Sequence, residues 1–120
     1  MSKDSELNTD EIWEDFRKAV NMAPSELEKW LKTDDSKENG WKDEGGKETI
    51  GHHSGRRIVE IKHKKKGELT DEDYAHMRKV VGYVHRHLAQ GGPEKDKEHS
   101  AWRYSLMNWG HDPLKGHLTR

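Results

Sequence analysis

Residues 70–92, TDEDYAHMRKVVGYVHRHLAQGG, are the stretch of this chain whose structure is most tightly dictated. Thr70 offers an N-cap hydroxyl, and Asp71, Glu72 and Asp73 place three carboxylates where a helix dipole is positive. Tyr74, Met77, Val80, Val81, Val84 and Leu88 then recur at three- and four-residue intervals, the period of one helical face. Gly91, Gly92 and Pro93 stop the helix after Gln90. Such a stripe is stable only when other elements cover it, so the rest of the chain must supply the cover.

Four further helices are readable. In TDEIWEDFRKAVNM, Thr9 is a cap and Ile12, Trp13, Phe16 and Val20 share a face. APSELEKWLKT restarts with Pro24 in a first turn and Leu27, Trp30 and Leu31 as its stripe, which makes the first two helices an antiparallel or angled pair. A third helix is expected from Ser54 to Lys66, with Ile58 and Ile61 inward and Gly67 ending it. After the connector GGPEKDKE, HSAWRYSLMNWG carries Trp102, Leu106 and Trp109 at helical spacing and Gly110 as its stop. Residues 33–51 hold four glycines and no period, so a long polar loop pinned by Trp41 and Ile50 is expected there. No strand alternation and no internal repeat appears. The expectation is an all-α single domain of about five helices over residues 9–113. A disordered tail (1–8) precedes it and a flexible one (114–120) follows.

The core of such a domain must be small. Leu, Ile, Val and Phe account for only 18 of 120 residues, below the ~20% floor common in globular chains. A net charge of -1 argues against disorder, and five tryptophans each offer roughly 150–250 Å² of burial. Aromatic anchors should therefore carry the packing. The absence of cysteine excludes disulfides, thiolate metal sites and a Cys nucleophile. Neither a signal-peptide pattern nor a ~20-residue apolar run is present, so a cytoplasmic protein without a membrane partner is expected.

The near-neutral charge conceals a split. Residues 1–50 carry 14 acidic and 8 basic side chains, whereas residues 51–120 carry 9 and 14 and hold all nine histidines. The basic half is densest in GHHSGRRIVEIKHKKKGELT. If Ser54 caps a helix there, Arg56 and Arg57 occupy its first turn, a placement that costs a few tenths to about 1 kcal/mol against the dipole. With free backbone N–H groups, His52 and His53, they would form a cradle for an anion, phosphate above all. The alternative is that both arginines pair with the acidic half and lock it against the basic one. Lys62, Lys64, Lys65 and Lys66 add charge at the helix end, where the dipole alone accounts for them. In the fourth helix Lys79, Tyr83 and Arg86 lie away from the apolar stripe, with His76 and His87 a turn to either side. Cations interleaved with a flat ring suit a nucleic acid. Gly82 thins that surface for close approach, and the bland reading is that Tyr83 belongs to the core.

Other chemistries find little support. The close histidine pairs, His52/His53 and His85/His87, do not put both rings on one helical face, so no metal site is expected. No nucleophile elbow, P-loop or dinucleotide glycine pattern is present, which leaves no cofactor and no enzyme reading. In WRYSLMNWGHDPLK, Arg103 and Lys115 are expected to extend the basic surface. Asn108, His111 and Asp112 are expected to order the helix end before Pro113.

GHHSGRRIVEI, DEDYAHMRKVVGYVHRHLAQ and WRYSLMNWGHDPLK together resemble a small bacterial and fungal family, domain of unknown function 3140, from about Trp13 to Lys115. Some members carry a DNA-binding label, without a mechanism. The chain departs from the family pattern after Gln90, where GGPEKDKE replaces a basic-plus-proline start. The resemblance and the charge pattern together lead to an expected nucleic-acid-binding protein, acting mainly on double-stranded DNA with little sequence preference and associated with the nucleoid. Arg56, Arg57, Lys62, Lys64, Lys65, Lys66, Lys79 and Arg86 would be its phosphate contacts. The alternative is a protein-interaction or structural domain whose acidic and basic halves pair internally, or head to tail in a homo-oligomer.

Overall fold

The computed structural model describes residues 2–39 and 48–115, with side chains from Thr9 onward. It contains six helices and, among the described residues, no strand: α1 (Ser2–Ala19), α2 (Pro24–Leu31), α3 (Asp34–Glu38), α4 (Ile50–Lys62), α5 (Asp71–Gln90) and α6 (Ala101–Asn108). The all-α architecture is as expected. The extra element is α3, inside the segment expected to be loop. Thr33 caps it by accepting the Ser36 N–H at 3.1 Å, and Asp34 and Asp35 fill its first turn. The expected anchor Trp41 lies outside the described residues. Ile50 is half exposed and pins nothing, while the buried neighbour Thr49 caps α4.

Two helix boundaries move. α1 begins at Ser2, so Thr9 lies within it and is no cap; no Gly or Pro interrupts Ser2–Asn8. α4 spans Ile50–Lys62, not Ser54–Lys66, because Thr49 accepts the His52 N–H at 3.1 Å and His63 closes the far end. Gly67 sits in a separate 3-10 turn, Lys66–Glu68. By contrast, α5 matches its expected limits. Thr70 and Asp73 exchange hydrogen bonds, Asp73 N–H to Thr70 Oγ1 at 3.1 Å and Thr70 N–H to Asp73 Oδ2 at 3.0 Å.

The expected α1–α2 pair does not form. α1 packs along α5, and α2 packs on α4 and α6. Phe16 of α1 and Val20 just past its end, Leu27 and Leu31 of α2, Ile58 and Ile61 of α4, Met77, Val80 and Val84 of α5, and Leu106 of α6 meet in one core. Leu88, assigned to the inward face of α5, is 36% exposed because the stripe outruns the cover. Trp102 closes that end instead, its indole N–H donating to the His87 carbonyl at 2.9 Å. Trp13 is clamped between two cations, with Arg17 and Lys66 each 4.7 Å from its ring centre.

α6 is sewn to the rest by polar bonds. Asn108 is buried, accepts from the Trp30 indole N–H at 2.8 Å and from the Ser36 hydroxyl, and donates to the Ser36 carbonyl at 3.1 Å. Beyond it, Gly110 adopts φ +84°, and a Cβ there would lie 3.0 Å from Val20 Cγ1. Its carbonyl accepts the Met22 N–H at 3.2 Å, and the Asn21 amide exchanges two bonds with the Asp112 backbone. Of the residues expected to order the helix end before Pro113, Asp112 does so by accepting the Leu114 N–H at 3.0 Å, and His111 Nδ1 lies 2.7 Å from the Ala19 carbonyl, whereas the Asn108 side chain ties α6 to α2 and α3 instead.

Gly55 marks the closest approach. A Cβ there would lie 2.6 Å from Leu31 Cδ2 and 2.7 Å from the Asn108 carbonyl oxygen. Gly55→Ala should therefore lower the unfolding free energy by about 1–3 kcal/mol, read as a reduced urea midpoint at unchanged slope. Gly67→Ala meets nothing within 4 Å. It should be neutral or stabilise by no more than about 1 kcal/mol in the same titration.

Candidate nucleic-acid interface

Because α4 begins at Ile50, Arg56 and Arg57 lie in its second turn, where backbone N–H groups already serve the helix. The expected anion cradle at a Ser54 cap is absent. Ser54 is itself 1% exposed, and its hydroxyl lies 2.9 Å from His76 Nε2 on α5. Thr49 followed by apolar Ile50 was the cap signal in the sequence, but the glycines around it read as loop.

Most of the expected phosphate contacts are engaged within the fold. Arg56 grips Glu48 with both arms of its guanidinium, Nε at 2.8 Å and Nη2 at 2.7 Å. That fork, with His52 on the same carboxylate, outweighs burial and holds Glu48 down to about 2. Arg57 reaches Asp73 at 3.2 Å and Glu60 at 3.5 Å. Lys64 reaches the other oxygen of Asp73 at 2.7 Å, and Lys66 reaches Asp10 at 2.7 Å. Lys62 is partly buried, and that burial, followed by the nearby Arg17 charge, pushes its ammonium pKa down. Lys64, Lys65 and Lys66 lie past the end of α4, not in its last turn. Of the lysines in this run, Lys65 is exposed and makes no ion pair with a described residue.

Arg103 and Lys115 do not extend a basic surface either. Arg103 forks onto Asp112 at 3.0 and 2.9 Å, and Lys115 bonds Glu26 at 2.7 Å and the Asn21 carbonyl at 2.8 Å. Burial raises the Asp112 pKa, but the Arg103 bonds and the Leu114 N–H win and hold it below the ordinary range.

The outer side of α5 differs. Lys79 and Arg86 are exposed, and neither forms an ion pair with a described residue. Between them Tyr83 is half-buried. It stacks on Trp109 of the α6 end at 4.3 Å and 12°, and on His87 at 5.1 Å and 18°. His76 stacks on Trp109 at 6.2 Å, so four rings form a column along α5. The bland reading of Tyr83 as core is thus correct, and α5 is covered on two sides: by α1 on its aliphatic stripe and by α6 on this aromatic one. Gly82 does not serve helix packing; a Cβ there would meet only the Arg86 side chain, at 3.1 Å.

Beside the column, a cleft of about 540 Å³ opens between the start of α4, α5 and α6. Lys79 and Arg86 stand among its lining residues, none of which carries a carboxylate. No group of three or more His, Cys, Asp or Glu side chains among the described residues is arranged to hold a metal ion. No described helix is long and apolar enough to cross a membrane.

A family model described as protein of unknown function (DUF3140) matches residues 15–107. No curated protein and no solved structure matches the chain.

Two partly buried groups shape the response to acid. Burial, aided by the Arg57 and Lys79 charges, lowers His76 from 6.5 to about 4, so the unfolded chain binds its proton first as pH falls. Glu48, lowered from 4.5 to about 2, behaves alike in a lower window. Stability should therefore fall between pH 6.5 and 4 through His76, and again between 4.5 and 2 through Glu48. In urea titrations across this range, Glu48→Gln should flatten the lower limb and leave the upper one.

Proposed function

We propose, for a chain that belongs to the DUF3140 family of proteins of unknown function, that it is a binding protein for nucleic acid, double-stranded DNA foremost. It would engage phosphates through the outer side of α5 with little sequence preference. The observation that carries this reading is the contrast among the eight cations. Arg56, Arg57, Lys64 and Lys66 are neutralised by carboxylates, and Lys62 is partly buried. Lys79 and Arg86 remain exposed, without an acidic partner among the described residues, beside a cleft whose described lining carries no carboxylate. Unpaired cations gathered on one helix are what backbone-phosphate contact requires, and they position a duplex without reading its sequence. Lys65, on the turn before α5, adds a third contact. A protein of this kind would be cytoplasmic and sit with the nucleoid.

A second reading has its own observation. Asp10–Lys66, Glu26–Lys115 and Glu48–Arg56 each join the acidic half of the chain to the basic half. These pairs favour a structural or protein-interaction domain in which the charge split serves the fold itself.

Fluorescence anisotropy of a labelled random duplex at ~50 and ~200 mM salt separates the two. Under the first reading affinity falls with salt, and Lys79→Gln/Arg86→Gln weakens binding and flattens the log–log slope by about 1.8, or ~0.9 for each phosphate released. Arg56→Gln/Arg57→Gln should instead lower the melting temperature and leave that slope nearly unchanged. No binding at ~50 mM salt rejects the nucleic-acid reading and leaves the structural one.

A further inference from the structure

We infer that the cleft between the start of α4, α5 and α6 is a binding site for a phosphate monoester of nucleotide size. The inference goes beyond duplex binding and does not need it, although Lys79 and Arg86 serve both.

Three observations converge on this cleft. The first is charge. Lys79 and Arg86 line it without an ion pair to any described residue, seven residues apart on α5, which is ~10.5 Å of helix rise and within joint reach of two long side chains. Among the described residues, no carboxylate lines the cleft to compete for them. The second is a set of unspent hydrogen-bonding groups. Trp109 is only 6% exposed, yet its indole N–H has no partner among the described residues. That nitrogen faces Gly51, where the missing Cβ would lie 3.3 Å away. His87 Nε2 is buried and also has no partner. Buried polar groups are almost always satisfied, so the orphaned His87 nitrogen, with the unused Trp109 N–H beside it on the same cleft, points to a ligand. Two half-buried indoles are satisfied by contrast: Trp30 by Asn108 and Trp102 by the His87 carbonyl.

The third observation is shape. About 540 Å³ lies in the range of small-ligand sites and is far larger than phosphate alone requires. A duplex presents its phosphates on a convex surface, whereas this recess suits a compact group entering end-on. The Tyr83 ring already stacks with Trp109 and His87, so it is not free to stack on a ligand. The ligand's ring would therefore be held by hydrogen bonds at its rim, with its phosphate between the two cations.

A free nucleotide and the phosphorylated end of a strand share this chemistry. Isothermal titration of the full chain distinguishes them, with a nucleoside monophosphate, the bare nucleoside, inorganic phosphate, and a short single strand with and without a 5′-phosphate. The expected result is binding of the monophosphate, with the nucleoside and inorganic phosphate each at least about tenfold weaker. The Trp109 indole N–H resonance should shift on addition. Lys79→Met and Arg86→Met, at exposed positions, should each weaken the monophosphate by about tenfold at unchanged melting temperature. Tighter binding of the 5′-phosphorylated strand than of the monophosphate identifies a strand end as the source; equal or weaker binding identifies the free nucleotide. No heat and no indole shift with either phosphorylated ligand overturns the inference, even if the duplex binds. Monophosphate binding without duplex binding retains it and removes the nucleic-acid reading instead.

Discussion

A single carboxylate, that of Asp73, joins the parts of this fold that have least apolar surface to hold them. It is 1% exposed, closes the capping box at the start of α5, and receives both Arg57 and Lys64 from the basic segment. Burial alone would raise its pKa. The Lys64 ammonium and the Thr70 backbone N–H reverse that and hold it below the ordinary carboxylate range. An ion buried this deeply is tolerated only because its charge and lone pairs are nearly all engaged. Through it, the turn from α4 to α5 is fixed, and Lys66 is carried to Asp10 and the face of Trp13.

The same logic governs the other end of the molecule. α6 contributes few aliphatic residues, so Asn108 substitutes a buried polar hub for missing hydrophobic area, joining α2 and α3 through Trp30 and Ser36. Gly55 lets α4 approach that hub, and Gly110 lets the chain turn back against Val20. Small size and lean apolar content thus make polar satisfaction, rather than core volume, the organising constraint. The ion pairs at the surface are individually weak, and their count says little about stability.

The functional reading follows from what this network leaves over. A basic segment that looks like a polyanion site is largely consumed in structure, and the uncommitted cations on the outer side of α5 border the aromatic cleft. Their value lies in being unpaired, since a cation already forked onto a carboxylate must break that bond before it meets phosphate. Lys79 and Arg86 were legible in the sequence as exposed basic positions beside Tyr83. The cleft was not, because Trp109 and Gly51 come from elements far away in the chain. Only packing brings their edges to α5. Likewise nothing in the spacing of Arg103 and Asp112 announces their fork.

The sequence by itself determined the helical class, the limits of α5, the inward residues of α4 and α6, and the division of charge. Each is a local matter of periodicity, capping or composition, set by backbone geometry within a few residues. Tertiary structure alone decided that α1 covers α5 and not α2, that α5 is covered on two sides, and which cations remain free. Those outcomes depend on which distant side chain arrives within 3 Å of which charge. Short-range patterns carry no information about that distance, and in a chain with so many charges it decides what remains available for a ligand.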